Sequence, residues 1–239
     1  MRQLLLRVCA VALSVLASTL AVHAEETGEA RALLEKAIET AFAHAGDRFA
    51  FTVSLEQSNE EETVSLELRY DPREPEKDRW RLLGASDDGL SKKEKKVFKK
   101  IRKSEFSDDA IVYDKLGEEL STFALISETE EAAVFSSPVV DDDLPEGALE
   151  MYVTLDKKGG HVSRIEVRSL KPFKPASVAK IETMSQVQTY RLSEAGGPAL
   201  LHTSESAAEG SAMFKSFKSH SRQTFSDIER IDAEEIVED

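Results

Sequence analysis

The sequence predicts an α+β domain built on a single curled antiparallel sheet. Apolar and polar residues alternate with the two-residue period of half-buried strands in most segments after residue 48, and short polar turns separate these segments. Helical periodicity occurs in only two stretches. So many strands cannot form a flat sheet, and the apolar face of each helix needs a surface to cover. We therefore expect a half-barrel of about 10–11 strands with an N-terminal helix and a short inserted helix on its concave side.

Residues 1–24 have the features of a signal peptide. Arg2 and Arg7 flank the start of an apolar stretch of about 14 residues, and Val22 and Ala24 hold the small-residue positions before a cleavage site. The stretch is shorter than the roughly 20 residues of a membrane-spanning helix. Cys9, the single cysteine, has no small residues before it, so no lipid anchor is expected. The prediction is export to the periplasm, cleavage after Ala24 and a soluble mature protein without disulfides.

The mature chain is expected to comprise one domain over residues 25–232 and an acidic tail over residues 233–239. The formal net charge of the whole chain is −14. Because residues 1–24 contain two arginines and no acid, the mature chain has 29 basic and 45 acidic residues, a net charge of −16. Export and acidity together argue against a nucleic-acid partner.

The first helical stretch precedes all the strands. Thr27 is its candidate N-cap, and Gly46 follows its end. Its apolar residues recur at the i, i+3, i+4, i+7 spacing of an amphipathic helix. They are Ala30, Leu33, Leu34, Ala37, Ile38, Ala41 and Phe42.

The second helical stretch, "SKKEKKVFKKIRK" over residues 91–103, is strongly basic. Ser91 and Glu94 have the spacing of a capping box. A narrow apolar stripe is formed by Leu90, Val97, Phe98 and Ile101. The basic residues around it are Lys92, Lys93, Lys95, Lys96, Lys99, Lys100, Arg102 and Lys103. This basic surface helix is either a solvated face or a contact for an anionic membrane surface or an acidic partner.

The remaining segments have strand periodicity. Residues 49–55 and 64–70 form a predicted hairpin across the turn "SNEEE", and "RWRLLG" continues the alternation. After the basic helix the pattern returns in "AIVYDKL", "LSTFALI", "AAVFSSPVV", "LEMYVTL", "HVSRIEVRSL", "SVAKIETMSQVQTYRL", "ALLHTSES" and "SAMFKSFKSHSRQTF". The final strand is expected to continue through Ile228.

Residues that carry catalytic or metal chemistry are scattered. After cleavage, the histidines are His44, His161, His202 and His220; the last two could meet across a turn at "AAEG", but two ligands without an acid cluster make a poor zinc site. The loop "DDDLPEG", residues 141–147, lacks the ligand spacing of a calcium loop. Nucleophile motifs and phosphate-binding glycine loops are also missing from the sequence. We therefore expect no enzyme activity, no metal and no cofactor.

The order of elements resembles the periplasmic lipoprotein-carrier superfamily of LolA and LolB. The shared features are the signal peptide, the amphipathic helix, the hairpin of alternating strands, the early inserted helix and C-terminal strands such as "VSRIEV" and "TYRL". In that family a half-barrel of about eleven strands holds lipoprotein acyl chains in an apolar cleft. The resemblance implies the same fold here and a soluble carrier, since no lipid-anchor motif is present.

Large side chains on the alternating strands are candidates for the wall of such a cleft. They are Phe51, Trp80, Phe123, Phe135, Met151 and Phe173. Two hypotheses follow. The protein binds an acyl chain or lipoprotein anchor in the concave face of the sheet, or it is an interaction module with a filled core and no small-molecule ligand, in which case these residues are ordinary core. The oligomeric state is left open.

Overall fold

Eleven antiparallel strands form one sheet, and its two edge strands do not pair with each other in the described parts of the chain. The computed structural model describes residues 28–84, 89–103, 111–141, 144–176, 179–193, 197–213 and 215–236. Helix α1 covers residues 28–42, and α2 covers Lys92–Ile101. The strands are β1 Arg48–Asn59, β2 Thr63–Tyr70, β3 Trp80–Leu82, β4 Ala124–Glu128, β5 Ala132–Pro138, β6 Leu149–Asp156, β7 His161–Ser169, β8 Phe173–Ala176, β9 Ala179–Leu192, β10 Ala199–Ala212 and β11 Lys215–Ile231. The predicted fold class is confirmed, including a helix inserted after the third strand.

The strand order places the last strand in the interior of the sheet. The order is β3-β2-β1-β11-β10-β9-β7-β6-β5-β4, and β8 pairs with the end of β9 outside this path. Most strands that are neighbours in sequence are also neighbours in the sheet. The exceptions are β3 and β4, which lie at its opposite edges, β7, which pairs with β9, and β1, which pairs with β11. This pairing joins the N-terminal hairpin to the C-terminal meander and makes the sheet continuous.

The β1–β2 hairpin forms as its alternation predicts. Leu55 pairs with Leu66 and Val53 with Leu68, and all four side chains are buried on the core face. The turn is held by Asn59, whose Oδ1 accepts the N–H groups of residues 61 and 62 at 3.0 Å each. Facing apolar pairs of this kind stabilise an antiparallel ladder and fix its register.

The two helices bury the faces that their periodicity indicates, with one correction. In α1 the buried residues are Ala30, Leu34, Ala37, Ile38 and Ala41, but Phe42, the last helical residue, is 70% exposed. In α2, Phe98 is buried while Leu90, Val97 and Ile101 pack against the same core. The capping box is confirmed: Ser91 Oγ accepts the Glu94 N–H at 3.2 Å, and Glu94 Oε2 accepts the Ser91 N–H at 2.7 Å.

The predicted strand "AIVYDKL" is wrong, and "LSTFALI" is strand only from Ala124 onward. Residues 111–113 are buried without pairing in the sheet, and Asp114–Thr122 form a 3₁₀ helix. This segment has no ladder of strand hydrogen bonds, and contacts with other elements hold it instead. The N–H of Val162 donates to the Tyr113 hydroxyl at 3.2 Å, and Arg31 of α1 donates to the carbonyl oxygens of Leu120 and Phe123 at 2.7 Å each. Ile111, Val112 and Tyr113 are all buried, so the alternation of a half-buried strand does not hold here.

The C-terminal strands are longer than expected. The hairpin between β10 and β11 turns after Ala212, where Met213 has φ = 49°, and not at "AAEG". Strand β11 continues to Ile231, three residues past the predicted end, because Arg48 of β1 pairs with that residue. A short 3₁₀ turn, Ala233–Glu235, follows. The predicted signal peptide and its cleavage after Ala24 lie outside the described residues, as does part of the loop at residues 141–147.

Asp71, directly after β2, anchors a cluster of ion pairs at this end of the sheet. Its carboxylate accepts hydrogen bonds from Arg73 Nε at 2.9 Å and Nη2 at 2.8 Å, and Arg73 also contacts Glu229 of β11. The hydrogen bonds from Arg73 hold the pKa of the Asp71 carboxyl below its usual value. The cluster ties the loop after β2 to β11.

Replacing Asp71 with Asn is expected to lower the free energy of unfolding at pH 7 by about 2 kcal/mol, because charge-assisted hydrogen bonds to Arg73 are lost. A carboxyl whose pKa is lowered by folding stabilises the fold above its unfolded pKa, about 4, and this contribution disappears as the pH falls through the folded value. Urea unfolding at several pH values should therefore show a difference between variant and wild type that shrinks below about pH 4. Asp78→Asn, at an exposed position, is the matched control. A pH-independent difference would contradict this account.

Candidate functional site

The concave face of the sheet is covered at one end by α1 and residues 111–122, which we call the covering layer. Its inward side chains are apolar and belong to one buried cluster with the inner residues of the strands. Polar contacts to the sheet include the bond of Val162 to Tyr113 and a 2.6 Å hydrogen bond between Thr122 Oγ1 and Ser137 Oγ. Burial raises the pKa of the Tyr113 hydroxyl, which stays protonated at neutral pH.

Aromatic rings fill the core at the β1–β2–β3 end. Phe51 stacks on Tyr70 with ring centroids 5.1 Å apart and lies 5.9 Å from Trp80 and 5.6 Å from Phe225. Its side chain is completely buried. The geometries are stacked and edge-to-face, as aromatic cores prefer.

Four of the six predicted cleft residues lie in the main core, and Met151 packs against it half-buried. The four are Phe51, Trp80, Phe123 and Phe135, none more than 8% exposed. Phe173 is buried elsewhere, in a second cluster with Ala148 and Leu149. The reason is that β8 pairs only with the far end of β9, so its side chain cannot reach the main core. Whether these residues line a ligand cleft remains a prediction.

Beside the covering layer, strands β9, β10 and β11 carry a polar row. Gln188, Ser204 and Gln223 are paired across the three strands and therefore share a face. Gln186, Ser206 and Ser221, two residues along each strand, are paired in the same way and lie on the same face. Gln188 and Gln223 also pair, on their outer sides, with the buried apolar residues Ile165 of β7 and Leu55 of β1.

These six polar residues are partly or fully exposed and present amide and hydroxyl groups next to the apolar core. None of the six is among the site residues predicted from the sequence. The alternating Ser and Gln residues in the three C-terminal strands were the available signal.

The eight basic residues lie where the sequence predicts, around α2 and directly after it. The lysines at positions 92, 93, 95, 96, 99, 100 and 103 are all exposed. Lys93 forms an ion pair with Glu62 at 2.5 Å. Arg102 lies over the Phe98 ring, with 5.7 Å between its guanidinium carbon and the ring centroid.

The histidines do not form a site together. His220 pairs with Ala207, five residues along β10 from His202, so the two are roughly 17 Å apart and the predicted meeting across a turn is wrong. The misplaced turn is the reason. His44 contacts Asp47 at 2.7 Å. Across the described residues, no three His, Cys, Asp or Glu side chains converge as a metal site would require.

None of the described helices combines the length and apolarity needed to span a bilayer.

Comparison with known proteins gives one resemblance in architecture. The chain matches no known protein family and no curated protein. Among solved structures it is similar to a domain from Vibrio parahaemolyticus described as an outer membrane lipoprotein-sorting protein. The sequence identity is 12%, the TM-score is 0.45, and the match covers 87% of this chain and 94% of that one.

Proposed function

We propose that the protein is an exported periplasmic carrier that binds the acyl chain of a lipid or lipoprotein between the covering layer and the concave face of the sheet. The supporting observation is the layout of that face. An apolar region lies under the covering layer, and an open polar row lies beside it. An amphiphile has the same two parts, because its chain needs apolar cover and its ester and headgroup need hydrogen-bond partners.

In the resting state the apolar region is filled by the protein's own side chains, so binding requires the covering layer to move. The bonds from Arg31 to the carbonyl oxygens of Leu120 and Phe123 join its two parts and favour movement as one body. Separation of the layer from the sheet breaks the Tyr113 and Thr122 hydrogen bonds, the contact between the Tyr113 and Tyr190 rings and the buried apolar contacts. The apparent ligand affinity is then the affinity of the open form multiplied by the fraction of molecules that are open.

Trp80 offers a direct test, because it is the only tryptophan of the chain and lies in the buried aromatic cluster. A neutral monoacylglycerol with a brominated chain should quench its fluorescence saturably, whereas the unbrominated lipid should not. Native mass spectrometry of protein taken from the periplasm should show a lipid adduct. A neutral lipid is chosen so that the basic helix contributes nothing to binding.

The variant Tyr113→Phe tests whether the covering layer moves or is a fixed part of the core. Removing the hydroxyl breaks its bond to Val162, so the variant should unfold at a lower temperature and yet bind the brominated lipid up to about tenfold more tightly. Fluorescence titration and thermal unfolding measure the two effects. Lower stability without tighter binding, or no quenching in either protein, would count against the carrier.

The alternative is an interaction module with a filled core. The dense packing around Phe51, which is completely buried among three other rings, favours this reading. It predicts no lipid adduct, no quenching of Trp80 and protein partners recovered by crosslinking in the periplasm.

A further inference from the structure

A cleft of about 510 Å³ lies between α2 and the short 3₁₀ turn Glu76–Asp78, away from the polar row. Its apolar floor is formed by Leu90 and Phe98. Its rim is cationic, with Lys77 on the turn and Lys95, Lys99, Arg102 and Lys103 on the helix side. The volume is within the usual range for small-molecule sites.

The two walls of the cleft are joined by the protein itself. Arg102 Nη2 donates a hydrogen bond to the carbonyl oxygen of Lys77, and the guanidinium group also lies over the Phe98 ring. The capping box at Ser91 and Glu94 fixes the start of α2. The position of the rim relative to the floor is therefore set before any ligand arrives.

The rim charges have no counter-ions in the described parts of the chain. The ammonium groups of Lys77, Lys95, Lys99 and Lys103 form no ion pair or hydrogen bond there, whereas Lys93, outside the cleft, pairs with Glu62. Glu94, the acid within α2, is engaged by Ser91. Like charges around one cleft repel each other, and an anionic ligand would relieve this repulsion.

We propose that this cleft binds an anionic phospholipid at a membrane surface, with the lipid phosphate on the lysine rim and the glycerol and first chain carbons on Leu90 and Phe98. Lysine ammonium groups suit phosphate as mobile point charges. The rest of the chain is acidic, so an anionic bilayer repels the other faces and the protein approaches with α2 foremost. The lysine rim lies outside the core cluster that would hold an acyl chain, and the proposal stands whether or not that chain binds.

Two triple variants with the same charge change provide the test. Lys95→Glu, Lys99→Glu and Lys103→Glu reverse the rim, whereas Lys92→Glu, Lys96→Glu and Lys100→Glu reverse three exposed lysines of the same helix outside the cleft. Binding to phosphatidylglycerol-containing vesicles at low salt is measured by co-sedimentation, with pure phosphatidylcholine vesicles as the neutral reference.

The rim variant should lose about 100-fold or more in affinity, since each lysine near an anionic surface contributes about 1 kcal/mol. The control variant should retain most of its binding. Equal losses in the two variants would show a diffuse charge effect and would overturn the proposed binding site. The proposal would also be overturned if the wild type bound no vesicles, or if it bound neutral vesicles equally well. Circular dichroism checks folding, and the milder Lys→Gln triple at the rim replaces the Glu set if that set unfolds.

The lipid itself is tested with soluble probes. Water-soluble dihexanoyl-phosphatidylglycerol, glycerol phosphate and inorganic phosphate are titrated while NMR shifts of the α2 amides are followed. The short-chain lipid should bind at least about tenfold more tightly than glycerol phosphate because it also covers the apolar floor. Equal affinity for inorganic phosphate would reduce the cleft to a simple anion site. Quenching of Trp80 by the neutral lipid should be unchanged in the rim variant. The cleft proposal and the carrier proposal can therefore fail independently of each other.

Discussion

Replacing Val153 with Asp should lower the free energy of unfolding by about 4 kcal/mol, enough to unfold much of the population of a marginally stable domain. Val153 has no exposed surface and pairs with Phe135 of β5 and Ile165 of β7. A carboxylate there has neither water nor a partner, so it must remain a buried charge or take up a proton. Urea unfolding followed by circular dichroism measures the loss.

Thr154→Asp is the matched control. The side chain is on the opposite face of β6 and pairs with Arg164, so a carboxylate there gains an opposite charge across the strands. We expect a change within about 1 kcal/mol. Similar losses in the two variants would mean that the buried face of β6 has been misassigned.

Truncating Phe51 to Ala should have the next largest effect, about 3–5 kcal/mol. The ring is completely buried and contacts three other rings, so its removal leaves a cavity that the surrounding sheet cannot close. Phe217→Ala is the matched control, because Phe217 of β11 is half-exposed and loses far less burial. Thermal and urea unfolding give both values.

The same variant distinguishes a core residue from a cleft wall. If Phe51 lined an open cleft, its truncation would leave stability near that of the wild type and change lipid binding alone. The packing indicates core in the resting state. A stable Phe51→Ala protein that no longer shows Trp80 quenching would contradict that assignment.

The period-two segments predicted which side chains are buried. In β1 and β2, Val53, Leu55, Leu66 and Leu68 are buried as their alternation indicates, because one face of a half-covered sheet must be apolar. The sequence "AIVYDKL" has a similar pattern, yet Ile111, Val112 and Tyr113 are all buried and do not pair in the sheet. Alternation predicts the buried face only where a strand forms, and the hydrogen-bond partners depend on residues such as Arg31 and Tyr113 that lie far away in sequence.

The candidate sites depend on neighbours that no local pattern reveals. Lys77 joins the basic cleft only because the turn after β2 folds back against α2. The polar row arises only once Gln188, Ser204 and Gln223 are aligned by strand register. The sequence did identify the basic helix and its capping box, since both are contained within thirteen consecutive residues, "SKKEKKVFKKIRK".

The position of β11 between β1 and β10 affects the order in which the chain can fold. Residues Arg48 and Ile231 pair although nearly the whole domain separates them in sequence, and closing so long a loop slows folding. Until β11 is synthesised, no strand joins the N-terminal hairpin to β10 and the strands beyond it. A chain released without those last residues would expose the edges of β1 and β10 to pairing with other chains, which is a route to aggregation.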